Sequence, residues 1–535
     1  MNGVSLKTIF LILILIVVLV VIYNKITSND NISVADEYVA IEDNTLISND
    51  IRIGIIELDN MNPLLSNNKN VQDISRLIFD PLFTLTEEYK LEGMLAKEWS
   101  KIDENTYIIK LKEDIVWQDG EKFDISDVIF TIDMLKKLET KSIYYYNVKD
   151  ISMLQEIDEY TLKIQTNGNI PYFEYNFIFP IVSSKYFTEE NFWNGDKNLK
   201  PIGTGKFYIS EVNNDNILLK KNPKRFDSKS IKIETITLNL YDSLASTINA
   251  FKDEKIDMFT TSNRNIEEYL TKNAYNKSEY INRDYKYLAL NCKDKILENK
   301  EVRQAINSAL NKEDLLKDVY NRKYRISHFP IDYGSFAYDT NNSVMACDTN
   351  VAKRLLVESG WKYSSNKWRK TINYRNLSIE LNLLVNKKDS NLVKVAKNIK
   401  GQLETIGLRI NIIEATDKEY NRYLKNNNYD IVVVNSSYGY SPSLSKYFGE
   451  NNIANYKNEE IINILNEVQN ITDDNELKQK YSIIMEINND EVPYISLYYN
   501  KNTLIYSNNV KGTIKPNSYN LFYGIETWYR QYKNK

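Results

Sequence analysis

Between Leu95 and Leu135 the apolar and polar positions change period twice. Tyr107, Ile109 and Leu111 alternate with Ile108, Lys110 and Lys112, which predicts a strand with one more polar face. Asp119-Gly120 predicts a turn, because Gly tolerates positive φ and Asp can bond its own backbone. Ile125, Val128, Ile129, Ile132 and Leu135 then share the stripe of a helix that Asp124 can cap. A strand, a turn bearing Trp117 and a capped helix in this order make one compact α/β unit.

Similar patterns recur along the chain. Strands are predicted at 51–56, 84–86, 160–164, 206–210, 233–241, 255–260, 377–385, 408–413, 430–434 and 492–499. Helices are predicted at 74–80, from 171, and at 243–251, 301–310, 315–319, 351–360, 392–406, 418–425, 459–472 and 476–488. The strand–helix–strand alternation after residue 377 predicts a mostly parallel sheet flanked by helices. No repeat at solenoid periods is present.

Residues 9–23 are an unbroken apolar run between Lys7 and Lys25, near bilayer-spanning length when 4–8 are added. No small-residue cleavage site follows Tyr23. The expectation is an uncleaved signal-anchor, one transmembrane helix within residues 1–27, with the remainder outside the cell; a cleaved signal and secretion is the alternative. Residues 28–50 are polar, acidic and aperiodic, which predicts a tether.

At 535 residues the chain exceeds what one hydrophobic core holds. A net charge of -4 gives no electrostatic reason to expect nucleic acid. The 40 tyrosines reflect coding bias for the most part and cleft lining for a few. Cys292 and Cys347 lack metal spacing, and His328, the one histidine, cannot complete a zinc set with them. A disulfide and two free thiols both stay open. No metal site, cofactor or nucleophile–base pair is expected, and charge runs such as Asp473-Asp474 read as solvated faces.

Three blocks carry a resemblance. They are the Leu95-to-Phe130 run, with its Trp117-to-Gly120 turn and Asp127-Val128-Ile129-Phe130; Pro201 to Tyr208 (Pro-Ile-Gly-Thr-Gly-Lys-Phe-Tyr); and Val302 to Leu310 followed by Lys312 to Leu316. In order and spacing they resemble the extracytoplasmic solute-binding proteins of peptide and nickel ABC importers, family 5, over about residues 50–530. The resemblance implies an α/β fold like the class II periplasmic binding proteins, with two large hinged lobes and a small extra lobe. It places lobe I at 51–66, 185–287 and 492–535, the small lobe at 67–184 and lobe II at 288–491. It also implies a monomer that binds peptides between its lobes and delivers them to a membrane permease with its ATPase, without catalysis. The lipobox cysteine usual in Gram-positive relatives is absent. A membrane-anchored peptide receptor outside transport and, more remotely, a surface hydrolase are the competing readings; nickel–chelate binding is a variant that the single His disfavours.

Site residues follow from the same resemblance. Relatives carry an acidic residue after the buried strand of lobe II that meets the peptide's ammonium, a charge-assisted contact. Here that stretch is Ser436, Ser437, Tyr438, Gly439 and Tyr440, and Gly439 stands where the Asp would be. The expectation is a protein that does not read a free N-terminus in the usual way, unless Asp73 or Asp430 substitutes. Asn67 and Lys69, Tyr146 with its neighbours Tyr144 and Tyr145, Thr261, Ser262, Asn263, and Tyr420 complete the expected ligand contacts.

Overall fold

The computed structural model describes residues 45–533 except 264, 271–273, 321–323, 373, 438 and 472. The expected anchor, and the tether up to residue 44, lie outside the described residues. The end of the expected tether is ordered instead: Thr45–Ser48 is a strand, and the next strand starts at Asp50. Among the described residues, no helix is long and apolar enough to cross a membrane. The chain divides into one unit of residues 1–48 with 531–535 and another of 49–530. The second unit holds everything described below.

Its centre is one large sheet. In chain order the strands are β1 (Asp50–Ile56), β2 (Phe207–Val212), β3 (Asn216–Lys221), β4 (Thr235–Tyr241) and β5 (Met258–Thr261). They continue with β6 (Tyr275–Leu290), β7 (Glu380–Asn386), β8 (Arg409–Ala415), β9 (Ile431–Ser437) and β10 (Tyr494–Ser507). The spatial order is β8-β7-β9-β6-β10-β5-β1-β4-β3-β2, with Arg325–Ile326 pairing onto β10. The sheet is mixed rather than mostly parallel. β7 pairs in parallel with β8 and β9, and β1 with β4 and β5, but every pairing of β6 or β10 is antiparallel. Those central strands come from opposite ends of the second half and are not joined by crossover helices, so alternation of elements could not reveal their direction.

β6 and β10 are the long strands, 16 and 14 residues. The end of β6, 284–290, pairs with β9, whereas the end of β10, 503–506, pairs with β5. Their mutual ladder breaks between Ile281 and Tyr285, where Arg283 adopts φ 63°. A bulge in the ladder joining the β9 side to the β5 side is a natural place for bending.

Side chains of β6 alternate between two cores, as a period of two requires. Leu288 and Leu290 pack with Val302, Ile306 and Ile399 on one face. Tyr285 and Tyr287 pack with Tyr447, Tyr481 and Tyr494 on the other. Many of the tyrosines are therefore core residues, in stacked or edge-on pairs such as Tyr285–Tyr499, 5.0 Å between centroids.

The first helix among the described residues, α1 (Lys69–Ile78), starts five residues before the expected start, with Asn68 as its cap. The apolar stripe Val71, Ile74, Leu77 and Ile78 reaches back past Asp73, a buried carboxylate. The Leu95-to-Leu135 unit forms as expected. Thr106–Leu111 is a strand of a four-stranded antiparallel sheet, and α2 (Ile125–Leu138) is capped by Asp124 in a reciprocal box with Asp127. The Asp127 carboxylate also accepts from Trp117 Nε1 at 3.0 Å and from the Ser184 amide at 2.8 Å. The helix expected from Pro171 is only a short 3-10 turn, Phe173–Phe177. Both cysteines are free, Cys292 half-buried and Cys347 exposed.

Gly203 and Gly205 let the Pro201-to-Tyr208 segment lie on the end of α1. The Gly205 amide donates to the Ile78 carbonyl at 2.8 Å, and a Cβ on Gly203 would stand 1.8 Å from that same oxygen.

Candidate binding site

A cavity of about 590 Å³ opens beside the break in the β6–β10 ladder. β5 brings Thr260 and Thr261 to it, β6 brings Asn282 and Asp284, and β10 brings Asn500 and Asn502. Three successive polar residues, 282–284, interrupt β6, and that is where the ladder breaks. Asp284 accepts from the amides of Asn282 at 3.1 Å and Asn500 at 3.2 Å. Lys501 is tied to Glu279 at 3.0 Å. The walls thus combine amide donors, carbonyl acceptors and one carboxylate, with apolar Ile56 and Leu244 at the edge. Such a lining can satisfy both N–H and C=O groups of a guest.

Beside it stands a second cluster. Arg283 is ion-paired with Asp332 at 2.8 Å, and both are almost fully buried. The guanidinium lies 4.7 Å from the ring centre of Tyr89 and 4.4 Å from that of Tyr440, and it donates to the Gly439 carbonyl. Burial pushes the Asp332 carboxyl up from its ordinary range, and Arg283 offsets part of that push. Tyr440 donates to the Ser518 carbonyl at 2.8 Å, and Tyr89 shares a hydrogen bond with the Ser518 hydroxyl at 3.0 Å.

The expected contacts scatter among these places. Thr261 and Ser262 line the polar cavity, and Asn263 sits next to them, its amide donating to Thr261 Oγ1 at 2.9 Å. Gly439 and Tyr440 belong to the Arg283 cluster. Ser437 pairs with Asp284 in the ladder, while Ser436 is buried and accepts from Lys446. Tyr438 lies outside the described residues. Tyr420 packs under the sheet, donating to the Val433 carbonyl at 2.9 Å. Asn67 is exposed and donates to the Lys141 carbonyl at 3.0 Å; Lys69 is exposed and paired with Asp73. Tyr146 is 63% exposed, and Tyr145 is half-buried against its ring. Tyr144 is half-buried and donates to Gln72.

Neither proposed substitute carboxylate stands by Gly439 in free form. Asp430 precedes β9, roughly 20 Å from its far end by strand rise, and accepts from the Asn382 amide at 2.7 Å. Asp73 is held by Lys69. Arg283, Asp332, Asp284 and Asn500 were not expected at the site. The run Asn282-Arg283-Asp284 inside a strand was the available signal, since polar residues there mark a bulge.

A family model described as bacterial extracellular solute-binding proteins, family 5 Middle, matches residues 90–453. The chain belongs to that family. Among curated relatives, the oligopeptide-binding protein AppA of Bacillus subtilis (strain 168) is 23% identical over 505 residues, 88% of this chain and 89% of AppA. The glutathione-binding protein GsiB of Escherichia coli (strain K12) is 25% identical over 330 residues, 58% of this chain and 61% of GsiB. The solved structure of the ABC transporter substrate binding protein CtaP from Listeria monocytogenes matches with a TM-score of 0.69 at 20% identity, covering 92% of this chain and 100% of CtaP. This family-5 protein therefore has the multi-lobed α/β fold of periplasmic binding proteins, and its relatives are solute-binding proteins rather than enzymes.

Proposed function

We propose that this family-5 protein is the extracytoplasmic binding component of an ABC importer and that it takes peptides into the cavity between β5, β6 and β10. The observation that carries the reading is the lining of that cavity: Asn282, Asp284, Asn500 and Asn502 beside Thr261 and Ser262. A peptide backbone needs donors and acceptors in turn, and this wall offers both. The names of AppA and CtaP support the same reading.

The lobes are 51–66 with 185–287 and 492–535, the small lobe 67–184, and 288–491. β6 and β10 bend at the bulge around Arg283 to open and close them. Thr261, Ser262, Asn263, Tyr438, Gly439 and Tyr440 meet the peptide, with Asn67, Lys69, Tyr146, Tyr420, Ser436 and Ser437 further out. Gly439 offers no carboxylate, and the neighbouring cation is the protein's own Arg283, so the guest's ammonium is not held there by charge. The monomer acts outside the cell, held by its N-terminal helix beside the permease and ATPase.

Mass spectrometry of material released from the purified full-length protein tests the reading. Peptides are expected; release of non-peptide solutes alone refutes it.

A further inference from the structure

A second cavity, of about 400 Å³, shares no wall residue with the polar one. One wall comes from the four-stranded sheet and the turn after it: Trp99, Tyr107, Tyr172 and Glu174. The facing wall includes Phe336 and Leu477 of α3 (Asp474–Glu491). Trp99 stacks on Tyr107 at 6.2 Å, and Tyr107 packs on Phe173 at 4.6 Å. Tyr172 holds the facing wall through its hydroxyl, which donates to the Val468 carbonyl at 2.9 Å.

The charges around this cavity are engaged, with one exception. Lys90 pairs with Asp474. Asp473 caps α3, accepting from the Glu476 amide at 2.8 Å. Lys101 donates to Asn169 at 2.8 Å and lies 5.9 Å above the Tyr107 ring. Glu174 is half-buried, and among the described residues its carboxylate has neither an ion pair nor a side-chain hydrogen bond. Burial outweighs the pull of its own backbone amide and of Lys101, and pushes its carboxyl up to about 7. The carboxylate stands among aromatic rings with only its own backbone amide and the pull of Lys101, which is itself bonded to Asn169, to offset its burial. The group that satisfies both carboxylate and rings is a cation with an apolar body, because the rings attract positive charge through their faces.

We propose that this cavity binds an organic cation, a primary ammonium or guanidinium on a short alkyl stem, with Glu174 as counter-ion and Trp99, Tyr107 and Tyr172 as its aromatic walls. The volume lies within the range of small-molecule sites. The cavity shares no wall residue with the polar one, so the alkylamine titration and the peptide test can fail separately. Glu174 must be ionised to pair with the guest, so affinity rises with pH through the region near 7, while the engaged Lys90, Lys101, Asp473 and Asp474 set the field around it.

Calorimetric titration of the full-length protein with n-pentylamine and with agmatine, against 1-pentanol as the neutral isostere, tests the proposal. Both cations are expected to bind about tenfold more tightly at pH 8 than at pH 6, the change in the ionised fraction of a group titrating near 7. Pentanol is expected to bind weakly and without pH dependence. Glu174→Gln is expected to lose at least about tenfold at pH 8 and to abolish the pH dependence. Equal affinity at the two pH values, equal affinity for pentanol, no binding of either cation, or an unchanged Glu174→Gln protein would each overturn it. The pH comparison needs only the unmodified protein, so it decides the matter even where the variant fails to fold.

Discussion

Arg283 and Asp332 meet at 2.8 Å with side chains only 5% and 1% exposed. Removing one partner strands the other charge in a site that water does not reach. Arg283→Met should cost about 3–5 kcal/mol of stability, and adding Asp332→Leu should recover most of it. Urea unfolding of the two variants checks this; a double variant no more stable than the single one would show that the pair is not the source of the loss.

The close approach of Gly203 to the Ile78 carbonyl makes a sharper prediction, because the atom in the way is backbone and cannot rotate aside. Gly203→Ala should destabilise by on the order of 3 kcal/mol, the scale of overpacking in a filled core. Gly401, whose Cβ direction is open, serves as the comparison: Gly401→Ala should be neutral or mildly stabilising in the interior of its helix. Thermal unfolding of both variants provides the measurement.

What the sequence made legible were features with local causes. The strand at 106–111, the Asp124 cap and the turn at Gly120, which has φ 101°, each depend on neighbours within a few residues. The double use of Asp127, as cap partner and as acceptor for Trp117 and Ser184, was hidden because Ser184 is 57 positions away. The β6–β10 pairing joins residues more than two hundred positions apart, and no periodicity encodes it. At the candidate site, Thr261 and Ser262 were expected from the family resemblance, and both line the polar cavity. Arg283 and Asp332 were missed because their meaning comes from each other and from Tyr440. Tyr420 likewise finds its partner, the Val433 carbonyl, through the fold, 13 positions away in sequence.

Lys286 sits on β6, 2% exposed, with its ammonium 3.4 Å from the Asp284 carbonyl. Burial, only partly offset by Asp284 and Asp389, pushes it down from 10.5 to about 8. Below about pH 8 it is charged in both the folded and the unfolded chain, and the folded protein bears the full cost of burying that charge. Stability should therefore rise as pH climbs from about 8 towards 10.5, where only the unfolded chain still holds the proton. Lys286→Met should stabilise the protein at pH 7 by roughly 2–3 kcal/mol, with the gain shrinking towards pH 10. Unfolding curves of both proteins at pH 7 and pH 10 test this, and a gain independent of pH would contradict it.

The central claim is that the protein holds a peptide by its backbone, with no carboxylate for the ammonium at Gly439. The most direct measurement is calorimetric titration of the full-length protein with one peptide sequence in free and N-acetylated forms. The account predicts binding of both with affinities within about threefold, because Gly439 supplies no carboxylate and Asp284 is already engaged by the Asn282 and Asn500 amides, so no charge-assisted contact worth about 1.5–3 kcal/mol is lost on acetylation. A preference of about a hundredfold for the free amine, or no binding of either form, would contradict it.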